Sequence, residues 1–190
     1  MKLDRILPFA KKLLETAVAK GDIVVDATVG NGHDTVFLAH LVGENGQVFG
    51  YDIQQEAIMH TKQKLLENNL LNRVTLFHQS HSEILKTIPA AYHGKIAGAM
   101  FNLGYLPGGD KRIVTKPHTT MSAIKQLLSI LKREGIIVLV IYHGHQEGKV
   151  ERDAVVQFVQ SLDQKVAHVL EYRFINQKNN PPFIIAIEKC

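Results

Sequence analysis

Residues 23–35 read Ile23-Val24-Val25-Asp26-Ala27-Thr28-Val29-Gly30-Asn31-Gly32-His33-Asp34-Thr35, a short apolar run ended by an acid and followed by a loop holding two glycines. An apolar run without polar alternation suits a strand covered on both faces, as in a parallel sheet. Gly30 and Gly32 let the backbone turn tightly and lie close to a ligand. The turn opens a helix, predicted over 33–42, at the carboxyl edge of the sheet, where doubly wound folds bind their ligands.

The pattern repeats on both sides of this unit. Upstream, Leu3, Ile6, Leu7, Ala10, Leu13, Leu14 and Ala17 recur at helical spacing and predict a helix over 3–20, which Pro8 either starts or kinks and Gly21-Asp22 stops. Downstream, strands are predicted over 47–52, 74–78, 96–102 and 136–142, alternating with helices over 54–69, 82–88, 119–132 and 151–162. The chain ends differently, with two strand-like runs at 166–174 and 183–188. Asn176-Gln177-Lys178-Asn179-Asn180-Pro181-Pro182 leaves no room for a helix between them, so they must pair as an antiparallel hairpin. Such a hairpin after five α/β units separates a methyltransferase sheet from a dehydrogenase sheet. The expected fold is therefore α/β and Rossmann-like: a seven-stranded, mostly parallel sheet with a C-terminal antiparallel hairpin and helices on both faces, forming one domain over 1–190. The longest loop without a helix runs from Gly104 to Pro117, a length often tied to function.

Bulk properties narrow the setting. The chain has 190 residues, 45% hydrophobic and 21% charged, the balance of a globular domain. Its most apolar stretch, Gly135–Tyr142, is far shorter than the roughly 20 residues that span a bilayer. Met1-Lys2-Leu3-Asp4-Arg5 carries no apolar stretch with a cleavage site, so no signal peptide is expected. The single cysteine, Cys190, fits a reducing cytoplasm. A net charge of +4 is compatible with a nucleic-acid substrate.

Two ligands compete for the glycine loop. A dinucleotide site wants a third glycine where Thr35 stands, and Asp26 would repel a pyrophosphate. An acid there suits a cationic amino group, such as that on the methionine moiety of S-adenosylmethionine. Asp-x-x-x-Gly-x-Gly resembles motif I of class I methyltransferases, with Thr28 in place of the usual first glycine. Gly50-Tyr51-Asp52 ends the second strand, 20 residues beyond Gly32. An acid at that distance accepts hydrogen bonds from ribose hydroxyls, or caps the helix that follows. After the third strand, Ser80 offers a hydrogen bond to an adenine edge, and His81 either stacks on the ring or caps the next helix.

The chemistry is expected beyond the fourth and fifth strands. Amino-methyltransferases often carry Asn/Asp-Pro-Pro-Tyr after the fourth strand. This chain keeps Asn102 and Tyr105 at that spacing, with Leu103-Gly104 between them. Asn102 either aims an amine through its carbonyl oxygen or caps backbone groups in a long turn. The fifth strand ends in Tyr142-His143-Gly144-His145. Without cysteine partners, and for a reaction that needs no metal, these histidines are read as base, substrate contact or structural groups, not as ligands of zinc or iron. Lys111, Arg112, Lys116, Lys149 and Arg152 fall in the two loops at this end, either contacting phosphates or forming a solvated basic face.

Taken with Phe101-Asn-Leu-Gly-Tyr-Leu-Pro-Gly-Gly-Asp110 and Tyr142-His-Gly-His-Gln-Glu-Gly148, the loop Asp26–Thr35 resembles a bacterial family long labelled putative rRNA methylase. Its characterised members are tRNA 5-(aminomethyl)-2-thiouridine methyltransferases, and the resemblance covers essentially the whole chain. It implies methylation of the primary amine of 5-aminomethyl-2-thiouridine at the tRNA wobble position, with S-adenosyl-L-methionine as methyl donor. It places the cofactor against Asp26, Thr28, Gly30, Asn31, Gly32, His33, Asp34, Thr35, Asp52, Ile53, Gln54, Ser80, His81 and Asn102. It places the amine near Asn102, Tyr105, Tyr142 and His145, with Lys111, Arg112, Lys116, His143, Lys149 and Arg152 facing the anticodon stem-loop of tRNA. A homodimer fits because one basic face this size covers little of a tRNA. Competing readings are an rRNA or small-amine methyltransferase of the same fold, a nicotinamide-dependent oxidoreductase, and a non-catalytic RNA-binding module.

Overall fold

A computed structural model describes residues 2–106, 108 and 112–190. Seven strands form one sheet: β1 (Ile23–Asp26), β2 (Gln47–Asp52), β3 (Val74–His78), β4 (Ile96–Leu103), β5 (Leu131–Ile141), β6 (Ala167–Tyr172) and β7 (Phe183–Lys189). Their order across the sheet is β3-β2-β1-β4-β5-β7-β6. The first five run parallel, and β7 pairs antiparallel with both β5 and β6. The predicted hairpin is thus present. Because β7 enters between β5 and β6, its centre, Phe183–Ile187, is buried where an edge strand would alternate.

Among the described residues six α-helices cover the faces: α1 (Ile6–Ala17), α2 (His33–Val42), α3 (Gln55–Glu67), α4 (Ile84–Thr87), α5 (Pro117–Ile130) and α6 (Gln146–Gln160). The strand side chains alternate between two cores. Val24, Met100, Val138, Val140, Ile184 and Ala186 join Leu14, Leu38 and Leu65 of α1–α3. Val25, Phe101, Leu139, Ile141, Ile185 and Ile187 join Ile84, Ile124, Leu127, Val155 and Val159 of α4–α6. Both faces of the central strands β1, β4, β5 and β7 are therefore dry, which is why those sequences lack polar alternation.

The largest departures from the sequence-based boundaries each have a local reason. The first helix begins at Ile6 and holds Pro8 in its first turn, where a missing backbone N–H leaves no bond unmade. β5 begins five residues earlier than expected, at Leu131; its pairing jumps from Ile96↔Leu131 to Gly98↔Ile136 around Glu134, which sits at φ 61°. α6 begins five residues early, at Gln146, and contains Gly148. That glycine reads as a helix breaker, yet a Cβ on it would lie 2.6 Å from the Tyr142 carbonyl oxygen and 2.7 Å from His145 Cε1. Its bare Cα is what lets the helix start against the end of β5. The helix-free part of the 104–117 segment ends at Lys116, because Pro117 opens α5 at a position suited to proline.

α1 lies across β4 and β5 and buries Leu14 completely. Leu14→Ala should lower the unfolding free energy by about 2–5 kcal/mol, the usual range for emptying a fully packed leucine site. Urea denaturation that shows no shift in midpoint would mean α1 is not part of the cooperative unit.

Candidate active site

β1 and β4 end side by side, with Asp26 opposite Met100. As the chain leaves β1 it stays attached to both neighbours: Ala27 N–H donates to the Met100 carbonyl at 2.9 Å and Val29 N–H to the Tyr51 carbonyl at 3.0 Å. The glycine loop is therefore held over the carboxyl edge of β2, β1 and β4. Gly30 and Gly32 adopt φ of 51° and 76°, in the left-handed region that glycine enters freely. A Cβ on Gly32 would stand 2.5 Å from Thr61 Oγ1. Thr61 in turn donates to the Gly30 carbonyl at 3.2 Å, and Lys64 donates to the Asn31 carbonyl at 2.7 Å and lies 3.4 Å from His33 Nδ1. α3 thus packs on the outside of the loop.

Three acids surround this loop, each in a different state. Asp52 is half-buried and accepts the backbone N–H of Gly30 on Oδ2 (2.8 Å) and of Gln54 on Oδ1 (2.9 Å). These bonds tie the end of β2 to the glycine loop and leave further lone pairs for hydroxyl donors. Beside it Ile53 is 55% exposed, an apolar surface next to a polar clamp. Asp26 is fully buried; Thr35 Oγ1 donates to Oδ2 at 2.6 Å and Thr28 N–H to Oδ1 at 3.2 Å. Burial pushes its carboxyl up to about 7, and the charges of Asp34 and Asp52 add to the rise against the two hydrogen bonds. Asp34, in the first turn of α2, accepts Asn102 Nδ2–H on Oδ2 at 2.7 Å and lies 3.4 Å from Lys11 Nζ.

Asn102 is held at two points. Its backbone N–H donates to Thr28 Oγ1 at 2.7 Å, and its side-chain amide donates to Asp34. That second bond orients the amide, leaving Oδ1 without a partner among the described residues. Tyr142, half-buried at the end of β5, feels the same acid: burial raises its phenol above the usual range and Asp34 adds to the rise. Tyr105 lies edge-on to His145, with ring centres 5.5 Å apart. His145 Nε2 is buried and unpartnered among the described residues.

Several expected site residues take other positions. His81 neither stacks openly nor caps a helix. It is buried edge-on against Phe101, its Nδ1–H donates to the Ala27 carbonyl at 2.9 Å, and burial lowers its pKa, so the ring is neutral. Ser80 caps the turn at His81–Glu83, accepting the N–H and hydroxyl of Ser82. His143 does not face the mouth. Its Nε2 donates to the Pro181 carbonyl at 3.0 Å and Arg152 lies 3.3 Å from Nδ1, so it pins the connection before β7 to the end of β5. Burial, then the Arg152 charge, lowers its pKa. Arg152 is also engaged with Asp153, so neither member of this pair offers an idle charge. Arg112 and Lys116 are exposed and Lys149 is half-buried, whereas Lys111 lies outside the described residues. Among the described residues no group of three or more histidines, cysteines or acids could hold a metal ion, and no helix is long and apolar enough to cross a membrane.

One buried acid has no counterpart in the sequence analysis. Glu151 is 2% exposed and accepts the hydroxyls of Thr120 (2.7 Å) and Thr115. Its signal was present: Glu151 shares an i, i+4, i+8 stripe with Val155 and Val159, a carboxylate at a core position of α6.

A family model described as Putative rRNA methylase matches residues 48–188. The chain belongs to this family. The tRNA (mnm(5)s(2)U34)-methyltransferase, chloroplastic, of Arabidopsis thaliana is 35% identical over 184 residues, 92% of this chain; the chain spans 66% of that protein's length, just under two thirds. A crystal structure of a putative rRNA-methylase from Clostridium thermocellum superposes with a TM-score of 0.96 at 45% identity, covering 100% of both chains. A putative methyltransferase from Streptococcus mutans, solved in complex with SAH, superposes with a TM-score of 0.89 at 38% identity over 99% of each chain. The seven-stranded sheet of this family is the class I methyltransferase sheet expected from the C-terminal hairpin.

Gly32→Ala should cost at least the ~1–2 kcal/mol of a left-handed non-glycine residue, plus the collision with Thr61. In a Thr61→Ala background the same change should cost less, because the two shortest contacts vanish and only the backbone term and one longer contact persist. Equal costs in both backgrounds, by chemical denaturation, would show that the loop does not pack on Thr61.

Proposed function

We propose that the chain is an S-adenosylmethionine-dependent tRNA methyltransferase that converts 5-aminomethyl-2-thiouridine at the wobble position, residue 34 of the tRNA, into 5-methylaminomethyl-2-thiouridine. The observation that carries this reading is the orientation of Asn102. Its amide N–H is committed to Asp34, so its Oδ1 is the atom presented beside the glycine loop. A carbonyl oxygen that accepts an amine N–H holds the nitrogen in one orientation and so points its lone pair. Family membership and the identity to the plant tRNA enzyme support the same substrate class.

The donor set fits the cofactor. The ribose hydroxyls would meet Asp52, whose oxygens are already aimed by Gly30 and Gln54. The adenine would lie against Ile53, with Ser80 at its edge. The bare backbone at Gly30–Gly32 admits the methionine moiety, with Asn31, His33 and Gln54 around it. Bound S-adenosylmethionine supplies an electrophilic methyl group on a sulfonium. The chain's own residues do the rest: in this reading Asn102 aligns the amine, Tyr105 and Tyr142 flank it, and His145 takes the proton that nitrogen loses. Arg112, Lys116 and Lys149 supply cationic contacts for phosphates of the anticodon stem-loop, whose unstacked bases suit aromatic contacts. Arg152 and His143 serve this surface by holding the hairpin. A second copy of the chain would extend the basic face, and the setting is the cytoplasm, where tRNA is modified.

Nucleoside mass spectrometry after incubation with S-adenosylmethionine and tRNA bearing 5-aminomethyl-2-thiouridine should show one added methyl group on that nucleoside. Asn102→Ala should slow transfer by about 10²-fold, the scale of lost alignment, with cofactor affinity unchanged by calorimetry. Methyl groups on rRNA alone would remove tRNA as the substrate.

Asp26 adds a proton-linked prediction. Its carboxyl is raised, so the free protein holds a proton on it up to about pH 7. A cationic ligand nearby favours the ionised form and lowers that pKa, so binding releases a proton below about pH 7. Affinity for S-adenosylmethionine should therefore rise with pH and level off above about 7. Calorimetry in buffers of different ionisation enthalpy should detect the released proton in the wild type and none in Asp26→Asn. Proton uptake, or no linkage in the wild type, would place the cation away from Asp26.

A further inference from the structure

The cofactor-side residues are braced by Asp52 and Asp26, but neither acid touches the segment that follows β4. That segment has its own carboxylate. Gly104 N–H donates to Thr115 Oγ1 at 2.9 Å, Thr115 Oγ1 donates to Glu151, and Thr120 Oγ1 donates to the other Glu151 oxygen at 2.7 Å. Thr115 N–H returns a bond to the Gly104 carbonyl at 3.0 Å, and Tyr105 pairs with Val114 in an antiparallel bridge. Both ends of the segment are thus drawn to one buried acid on α6.

The acid sits where an aliphatic side chain would pack more cheaply. It is in line with Val155 and Val159, and no ion pair to it occurs among the described residues. Burying a carboxylate is unfavourable unless hydrogen bonds and charges satisfy it. Burial raises its pKa, while Thr115, Thr120 and the His145 charge act the other way. A valine or leucine would fill the position but could hold neither threonine.

Gly104 explains what the arrangement holds. It lies two residues after Asn102 and directly before Tyr105, at φ 147°, with its Cα packed so that a Cβ would stand 3.3 Å from Tyr142 Cβ. Fixing its N–H fixes how the chain leaves β4 just beyond Asn102 and where Tyr105 projects. The same α6 carries His145 immediately before its first residue, and the Tyr105 and His145 rings meet at 5.5 Å. Resting on the methyltransferase reading above, we propose that Glu151 is the positioning residue of the substrate-side half of the site, setting Asn102, Tyr105 and His145 relative to one another through Thr115 and Gly104.

The test compares Glu151→Ala, Glu151→Gln and Thr115→Val with the wild type. Thr115→Val removes the bridging hydroxyl without touching the core, so it remains informative if Glu151→Ala fails to fold. For the alanine and valine variants, kcat for tRNA methylation should fall at least about tenfold, as expected when reacting groups lose alignment. The dissociation constant for S-adenosylmethionine should stay within about twofold of the wild type, since the cofactor-side residues are braced by Asp52 and Asp26 and not by Glu151. Glu151→Gln keeps an acceptor and a donor for the two hydroxyls and should recover kcat to within about threefold of the wild type. Hydrogen exchange at residues 104–106 and 112–116 should speed up in the alanine and valine variants, with residues 23–35 unchanged. The proposal is overturned by unchanged kcat, by cofactor affinity falling in step with kcat, or by Glu151→Gln behaving like Glu151→Ala. If the wild type methylates no tRNA, the substrate reading falls; exchange alone then decides, and unchanged protection of 104–106 would overturn the positioning role.

Discussion

Parallel pairing of β1 with β4 is the constraint on which the site depends. It sets Asp26 opposite Met100 and lets β4 run on past the end of β1 to Leu103, so that Thr28 accepts the backbone N–H of Asn102 and Asp34 accepts its side-chain amide. Residues 74 and 68 positions apart in the chain thereby become one unit. The glycine loop on one side and the Asn102 segment on the other are built on the same two strand ends. A shift of register here would separate the glycine loop from Asn102.

Carboxylates do most of the fixing, and each is satisfied in its own way. Asp52 accepts backbone N–H groups and joins β2 to the loop. Asp34 is paired with Lys11 and orients an amide. Asp26 is held by a hydroxyl and a backbone N–H, and its full burial outweighs both bonds and raises its carboxyl to about 7. Glu151 is held by two hydroxyls. A carboxylate with several directional bonds is a better fixture than an apolar contact, because its acceptor geometry prescribes where the donors lie.

The histidines show the converse. His81, His143 and His145 all stand at strand ends, where histidine is commonly read as chemistry. Two of them are neutral rings donating to carbonyls, Ala27 for His81 and Pro181 for His143. His81 and His145 each keep a buried Nε2 unpartnered among the described residues, and His145 does so beside Tyr105.

The sequence by itself determined the sheet. Apolar runs without alternation announce strands buried on both faces, and the seven residues from Asn176 to Pro182 are too few and too proline-rich for a helix, so the last two strands had to form a hairpin. It also marked Asp26, Gly30, Gly32 and Asp52, because left-handed turns and strand-end acids leave local patterns. Only the tertiary structure decided what the acids hold. Asp34 meeting Asn102, Glu151 meeting Thr115, and His143 meeting Pro181 are contacts across 68, 36 and 38 positions, made by bringing strand ends and helix starts to one edge. Periodicity reports which face a side chain occupies, as it does for Glu151 beside Val155. It carries no information on which distant partner fills the space opposite, and that partner decides whether a polar residue binds a ligand, aims another side chain or simply holds the fold together.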